Sequence, residues 1–153
     1  MKQKIYIDAS VIGGYFDVEF KEPTRRLFNS MEQGEIIFVV SDLLILELID
    51  APKRVRELLH RYSDNCFENI VFSEEAANLA KKYMIEDVVD KTSIEDCRHI
   101  ALATINQCNV LASWNFKHIV NLEKINGYNS VNLKSGYHIL EIRSPKELVR
   151  YGD

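Results

Sequence analysis

The run IIFVVS, at residues 36–41, limits the possible folds more than any other stretch of this chain. Its first five residues are all apolar and four of them are β-branched, which is typical of a strand buried on both faces of a parallel sheet. Neighbouring parallel strands need a long crossover connection, which is usually a helix. We therefore expect strands and helices to alternate along the chain.

The remaining segments follow that alternation. KIYID, NIVF, NVLAS and YHILEI have the composition of strands. Helices are predicted from Pro23 to Gly34 and in LLILELID, KRVRELLHRYS, SEEAANLAKKYMIEDVV and SIEDCRHIALATINQC, with Ser41 or Asp42 and then Ser73 as caps. No repeat or linker interrupts the chain, so residues 1–153 are predicted to form a single domain. Its fold class is expected to be α/β, with helices packed on a largely parallel sheet.

Composition and charge narrow the function. Hydrophobic residues make up 46% and charged residues 27%, no apolar run approaches the roughly 20 residues of a membrane span, and MKQKIYIDAS lacks a signal-peptide core. The three cysteines form no CxxC pair, which suits a reducing cytoplasm. The net charge of −4 argues against a surface that grips nucleic acid non-specifically. A nucleic-acid enzyme remains possible, because carboxylates that hold a magnesium ion count as negative until the ion binds.

Three acidic residues stand where acids are unusual. Asp8 ends the first strand, Glu47 lies in a helix that is apolar on nearly every side, and Asp96 opens a later helix. Asp8 has a structural alternative as an N-cap of the following turn. Glu47 has two, an exposed edge of the helix or a pairing with an arginine, because a buried carboxylate without a partner is costly.

The segment TSIEDCRHIALA offers a structural role for Asp96 as well. Ser93 and Asp96 have capping-box-like spacing, although Thr92 and Glu95 fit the box better and would leave Asp96 free. His99 shares a helical face with Asp96. We expect His99 to support the site or to pack in the core rather than to bind a ligand.

A neutral residue joins the acids in the segment VLASWNFKHI, where a predicted strand ends at Asn115. Asp8, Glu47, Asp96 and Asn115 all fall just after strands or in the first turns of the following helices. A parallel sheet brings such positions to one edge. Oxygen ligands gathered there suit Mg²⁺ or Mn²⁺, which are hard ions that bind phosphate oxygens.

Three stretches then carry a family resemblance by their order and spacing: IYIDASVIGGYF, SDLLILELI and SIEDCRHIALATINQCNVLASWNFKHI. Together they resemble the PIN domain, specifically the VapC-like toxin ribonucleases of bacterial toxin–antitoxin systems. The resemblance covers nearly the whole chain, and the tail INGYNSVNLKSGYHILEIRSPKELV resembles a subgroup that carries the same SWNFKH motif. It implies a PIN-like three-layer α/β/α sandwich with a central, mostly parallel sheet. It also implies a carboxylate cluster that holds divalent metal and hydrolyses RNA phosphodiester bonds.

Carried over residue by residue, the resemblance makes Asp8, Glu47 and Asp96 the catalytic, metal-binding acids. The family's usual fourth acid falls on Asn115, which offers a neutral carbonyl oxygen instead. Asparagine can still bind Mg²⁺ or Mn²⁺ through that oxygen, or orient a metal-bound water. Asn115 is therefore predicted to belong to the catalytic and metal-binding set.

Supporting roles follow from the same resemblance. Ser10 and Ser113 match the small hydroxyl residues near the first and fourth positions of the cluster. Lys117, or the pair Lys53-Arg54, would meet the RNA backbone. The implied partners are an RNA substrate, an antitoxin that covers the site with a basic or apolar segment, and a second copy of the chain in a homodimer.

Two other functions compete with a cytoplasmic, metal-dependent ribonuclease. One is a PIN-like module that binds RNA or protein and cuts poorly or not at all, which the missing fourth acid favours. The other is a receiver-like or phosphatase-like protein with acids at strand ends around Mg²⁺. The sequence has DAS where such a protein would begin with paired acids or D-x-D.

Overall fold

The structure is a computed structural model, and it describes residues 2–90 and 93–149. Its sheet has five strands: β1 (Gln3–Ile7), β2 (Ile36–Ser41), β3 (Phe67–Ile70), β4 (Val110–Ala112) and β5 (Glu141–Arg143). They lie in the order β3-β2-β1-β4-β5, and all four pairings are parallel. The parallel sheet expected from IIFVVS is confirmed. A receiver-like sheet has the order 2-1-3-4-5, so the receiver-like form of the competing interpretation is wrong.

Helices fill the connections between the strands. Within the described ranges they are α1 (Ala9–Gly14), α2 (Lys21–Glu32), α3 (Asp42–Glu47), α4 (Lys53–Arg56), α5 (Glu74–Ile85), α6 (Ile94–Ile105), α7 (Leu122–Lys134) and α8 (Pro145–Leu148), with 3₁₀ turns at Leu58–Arg61 and Asp64–Cys66. Among these helices, none is long and apolar enough to cross a membrane.

Both faces of the sheet are covered, which explains why its strands are continuous apolar runs. Tyr6, Val39 and Leu111 pack on one face, in a cluster with residues of α5, α6 and α7. Ile7 and Phe38 pack on the other face, in a cluster with residues of α1 and α2. Successive residues of a strand point to opposite faces, so β1 and β2 contribute to both clusters. Each such buried side chain contributes about 1.5–3 kcal/mol of stability, and the predicted α/β/α sandwich is the result.

Some element boundaries differ from the sequence prediction. Helix α2 begins two residues before Pro23 and is followed by Gly34, whose φ of 83° closes the turn. KRVRELLHRYS, expected to be one helix, instead forms α4 and a 3₁₀ turn that meet at Glu57. Ser41 is the cap of α3, where its side chain accepts from the backbone N–H of Leu44. Helices α1, α7 and α8 are additional to those predicted.

The loop after β4 is anchored by the only tryptophan of the chain. Trp114 is 8% exposed, its ring lies 4.1 Å from that of Phe20 in a stacked arrangement, and its Nε1 donates to Thr24 Oγ1 over 2.9 Å. Gly14, the last residue of α1, gives the indole its space, because a Cβ there would lie 2.6 Å from Nε1. Helix α1 and the loop after β4 are thereby held against each other.

Gly14→Ala should lower the free energy of unfolding by about 1–3 kcal/mol, since the added methyl forces a packed ring to move. Gly13→Ala is a matched control in the same helix, where nothing lies within 4 Å of a new Cβ. That change should stabilise by about 0.5–1 kcal/mol through helix propensity. Urea unfolding followed by Trp114 fluorescence measures both effects. If the two variants behaved alike, Gly14 would not be the contact that seats the indole.

Candidate active site

Asp8 is the centre of the candidate site. It follows β1 and caps α1, where Oδ1 accepts from the backbone N–H of Val11 at 3.3 Å and from Ser10 Oγ at 2.5 Å. Its other oxygen, Oδ2, accepts from Ser113 Oγ at 2.6 Å. The structure thus brings Ser10 and Ser113 to Asp8, although Ser113 is distant in sequence. The capping role and the predicted place in the site coexist in one side chain.

Burial determines the electrostatics of Asp8. The residue is only 5% exposed, and this desolvation raises the pKa of its carboxyl. The charge of His99 and the hydrogen bonds from Ser10, Ser113 and Val11 lower that pKa, but they do not cancel the effect of burial. An acid in this state is stabilised in its charged form by any cation that binds beside it.

Asp96 lies in the first turn of α6, at the same edge of the sheet. Burial raises the pKa of its carboxyl, the charge of His118 lowers it, and the charges of Asp8 and Glu47 raise it further. The carboxylates therefore lie close enough to repel one another. Capping by Asp96 is not supported, because Ser93 makes no side-chain capping bond to the helix. The alternative box of Thr92 and Glu95 lies partly outside the described residues.

Glu47 reaches the site from the end of α3. As a whole residue Glu47 is exposed, as one of its structural alternatives expects, and its side chain is 31% exposed. Its partner is a histidine rather than the expected arginine: Glu47 Oε1 forms a short hydrogen bond with His99 Nε2. Burial by itself lowers the pKa of His99, but the hydrogen bond and charge of Glu47, with the charges of Asp8 and Asp96, raise it overall.

Asn115 turns its oxygen away from the acids. Oδ1 accepts from the backbone N–H groups of Lys117 at 3.1 Å and His118 at 3.0 Å, which only an oxygen can do, so the orientation of the amide is fixed. Nδ2 instead faces Asp96 Oδ2 at 3.4 Å. In this arrangement Asn115 shapes the loop and supplies a donor to Asp96. Binding a metal through Oδ1 would require both backbone bonds to be released.

Basic side chains gather around two aromatic rings at the end of α1. The guanidinium groups of Arg54 and Arg61 lie 5.1 Å and 5.9 Å from the ring centroid of Phe16, and that of Arg25 lies 4.7 Å from the ring of Tyr15. These aromatic residues follow α1, the helix that Asp8 caps. The grouping as a whole could not be predicted, because the arginines come from separate segments, although Arg54 belongs to the pair expected to contact RNA. Lys117 is exposed in the loop after β4.

The oxygen atoms of the acidic side chains are of the type that a hard cation binds, but they do not form a complete coordination site. Asp8, Glu47 and Asp96 provide carboxylate oxygens, which Mg²⁺ and Mn²⁺ prefer, and mutual repulsion marks an excess of negative charge. Within residues 2–90 and 93–149, however, no three His, Cys, Asp or Glu side chains form a ready-made metal-binding group. The chemistry of these residues therefore fits a magnesium ion, with some adjustment of side chains on binding.

A groove of about 1260 Å³ lies elsewhere on the molecule. Its lining includes Gln3 and Ile36, the first residues of β1 and β2, so it lies at the amino edge of the sheet. Ligands of parallel sheets bind beyond the carboxyl ends of the strands. The carboxylate cluster, and not this larger groove, is therefore the candidate active site.

Comparisons of the sequence with known proteins find no match, whereas comparisons of the structure find similar solved structures. No family model matches the sequence, and no curated protein matches it. FitAcB from Neisseria gonorrhoeae is 15% identical, with a TM-score of 0.58 over 92% of this chain and 97% of that chain. VapC20 from Mycobacterium tuberculosis, a sarcin–ricin loop cleaving toxin, is 12% identical, with a TM-score of 0.57 over 74% and 91%. DNA-bound VapBC from Salmonella typhimurium is 16% identical, with a TM-score of 0.58 over 94% and 98%.

The fold is PIN-like. The expected PIN-like α/β/α sandwich around a parallel sheet is thereby confirmed. Identities of 12% to 16% carry the fold alone, so the relation to a subgroup with SWNFKH stays a prediction. In this PIN-like fold, Asp8 follows β1, Glu47 ends the helix after β2, and Asn115 lies in the loop after β4. Asp96 faces Asn115 from the first turn of α6. The catalytic and metal-binding roles of these residues stay predictions. His99 packs in the core and bonds to Glu47, in keeping with the supporting role expected from its position three residues after Asp96.

Asn115→Asp should destabilise the metal-free protein. The new carboxylate would stand where an amide nitrogen now faces Asp96, and like charges in a half-buried site repel. Mn²⁺ should relieve that repulsion, so it should raise the melting temperature of the Asp variant more than that of the native protein. Asn115→Ala removes the two loop bonds and should lower stability by about 1–2 kcal/mol. Melting curves with and without Mn²⁺ compare the three proteins. If Mn²⁺ stabilised the Asp variant no more than the native protein, Asn115 would have only a loop-holding role.

Proposed function

We propose that this chain is a metal-dependent endoribonuclease that hydrolyses RNA phosphodiester bonds and acts as the toxin of a toxin–antitoxin pair. One observation supports this above all: at the carboxyl edge of a PIN-like sheet, Asp8 and Glu47 lie close enough to Asp96 for their charges to raise its pKa. The neighbouring structures add support, since one is described as a sarcin–ricin loop cleaving toxin and others as VapBC complexes.

Asp8, Glu47 and Asp96 are the residues that would hold Mg²⁺ or Mn²⁺. When bound, the ion would neutralise charge on the scissile phosphate and make a bound water more acidic. Asp8 is held rigidly by Ser10 and Ser113, so its position would change little during turnover.

Asp96 is the best candidate for moving a proton. Its Oδ2 faces the Asn115 amide at 3.4 Å, which leaves Oδ1 for a proton from the attacking water. The water oxygen would form the new bond to phosphorus while the bond to the leaving sugar oxygen breaks. Arg54, Arg61 and exposed Lys117 carry positive charge for the RNA backbone.

A binding module with weak or no nuclease activity is the second candidate. The neutral amide at Asn115, with its oxygen engaged by the loop, favours it. The two candidates differ in one observable, the cleavage of RNA by the purified chain.

Purified protein, free of any partner, should cleave single-stranded RNA with Mg²⁺ or Mn²⁺ and not with EDTA. Asp96→Asn should lower the cleavage rate at least about 100-fold, because the variant loses both an anionic ligand and a proton acceptor. Glu95→Gln is the matched control: it makes the same charge change one residue away, on an exposed side chain that pairs with Arg98. Cleavage that persists in EDTA, or an active Asp96→Asn, would contradict the metal-nuclease proposal. If the RNA stayed intact under every condition, the binding module would be the remaining candidate function.

We also propose that the chain forms a homodimer, which light scattering would test.

We further propose that an antitoxin segment covers this site. The face beside Glu47 is apolar and exposed: Ile45, Leu46 and Ile49 are 52%, 62% and 59% exposed. Apolar residues around an anionic pocket suit a partner segment with apolar side chains and an arginine.

Leu46→Lys should therefore weaken inhibition by a co-expressed antitoxin at least about tenfold, because it places a charge in the apolar contact. Leu133→Lys is the control, since Leu133 is also 62% exposed but lies on α7. Dissociation constants measured by calorimetry compare the variants with the native protein. A complex that co-purifies with full nuclease activity would count against coverage of the site.

A further inference from the structure

A buried chain of hydrogen bonds runs from the start of α3 to its end through two other elements. Ser41 Oγ lies 2.8 Å from Tyr6 Oη, and Tyr6 Oη lies 2.6 Å from His99 Nδ1. His99 Nε2 then bonds to Glu47 Oε1. Ser41 precedes α3, Tyr6 belongs to β1, His99 to α6, and Glu47 is the last residue of α3. The chain of bonds therefore ties both ends of α3 to the core.

The interior part of this chain is fully enclosed. Tyr6 is 0%, Ser41 1% and His99 1% exposed. The rings of Tyr6 and His99 also contact each other edge-on, with centroids 5.6 Å apart. The imidazole is thus fixed in direction before it reaches Glu47.

The direction of the bond from His99 to Glu47 does not depend on the charge of the imidazole. Ser41 Oγ accepts from the N–H of Leu44 at 3.2 Å, so its own proton can go to Tyr6, and the proton of Tyr6 can go to Nδ1. A neutral His99 then donates from Nε2 to Glu47. If the imidazole were doubly protonated, the Tyr6 and Ser41 protons would reverse, and Nε2 would still donate to Glu47.

Glu47 needs such a support more than Asp8 or Asp96 does. It ends a six-residue helix, its neighbours Ile45 and Leu46 face solvent, and its side chain has three rotatable bonds. Among the described residues, His99 is the group that hydrogen-bonds its carboxylate. Without that bond, the carboxylate would be free to turn to water.

We propose that His99 is a positioning residue that holds the Glu47 carboxylate at the site, with Tyr6 and Ser41 fixing the imidazole from behind. The inference rests on the proposed function in one respect, that Glu47 acts as a ligand there. Residues that orient a metal ligand from behind typically change metal affinity by about 10–100-fold when they are removed.

The experiment compares four variants of the full chain. His99→Leu keeps apolar volume and removes the donor, whereas His99→Gln keeps an N–H near the position of Nε2. Tyr6→Phe removes only the hydroxyl that orients Nδ1. Tyr83→Phe is the matched control, because it also removes a buried tyrosine hydroxyl from the same core cluster, one that bonds to Asn132 and not to the site.

The first measurement is the affinity of each variant for Mn²⁺ alone, determined from the electron paramagnetic resonance signal of the free ion. His99→Leu should weaken binding at least about tenfold, Tyr6→Phe by a smaller factor, and His99→Gln should recover most of the loss. Tyr83→Phe should bind as the native protein does. The second measurement is the imidazole N–H proton resonance in metal-free protein, which should shift in Glu47→Gln and not in Tyr83→Phe.

The positioning role would be overturned if His99→Leu bound Mn²⁺ as tightly as the native protein does. It would also be overturned if the imidazole resonance did not shift in Glu47→Gln. If His99→Leu does not fold, His99→Gln and Tyr6→Phe decide the matter through the same ordering of affinities. Failure of the proposed function looks different: RNA would stay intact although Mn²⁺ affinity follows the predicted order. A native chain that binds no Mn²⁺ would overturn both.

Discussion

The buried carboxylate of Asp8 is the interaction on which the rest of the site depends. It ends the central strand β1, and its oxygens accept bonds from the start of α1 and from Ser113, 105 residues away in sequence. An acid at 5% exposure is unfavourable without such donors. The bonds that make the burial tolerable are therefore the same bonds that join β1, α1 and the loop after β4. Ser10 strengthens this joint, because its Oγ also accepts from the N–H of Trp114 at 2.8 Å.

The unfavourable interactions in the folded molecule come from charged groups rather than from packing. The clusters on both faces of the sheet are apolar and continuous, whereas the carboxyl edge holds acids that raise the pKa of Asp96. The folded, metal-free protein must bear that repulsion, which disappears when the chain unfolds. Any cation that binds the folded edge would restore the lost stability by mass action. Sites of this kind commonly exchange stability for function.

The elements that follow from short-range pattern could be predicted, and those decided by packing could not. IIFVVS identified a buried parallel strand, and acids at strand ends identified the edge, since both are set by local sequence and by the rule for parallel sheets. Helix α7 escapes prediction because LEKINGYNSVNLK contains Gly127 and several asparagines. The burial of Tyr128, Val131 and Asn132 and an N-cap from Asn121 stabilise it. The partner of Glu47 and the direction of the Asn115 amide depend on groups far away in sequence or on a turn, which no periodicity encodes.

Each acid of the site has its own donor, and this explains what an asparagine can do in an acid's place. Asp8 has Ser10 and Ser113, Glu47 has His99, and Asp96 has the nitrogen of Asn115. A fourth carboxylate would add a repelling charge, whereas the amide adds a donor and closes the loop through its oxygen. The acids are consequently held apart before any ion arrives, and an entering ion competes with these donors for the same oxygens. This arrangement lowers the affinity of the site for metal. In return, the site is already ordered when no metal is bound.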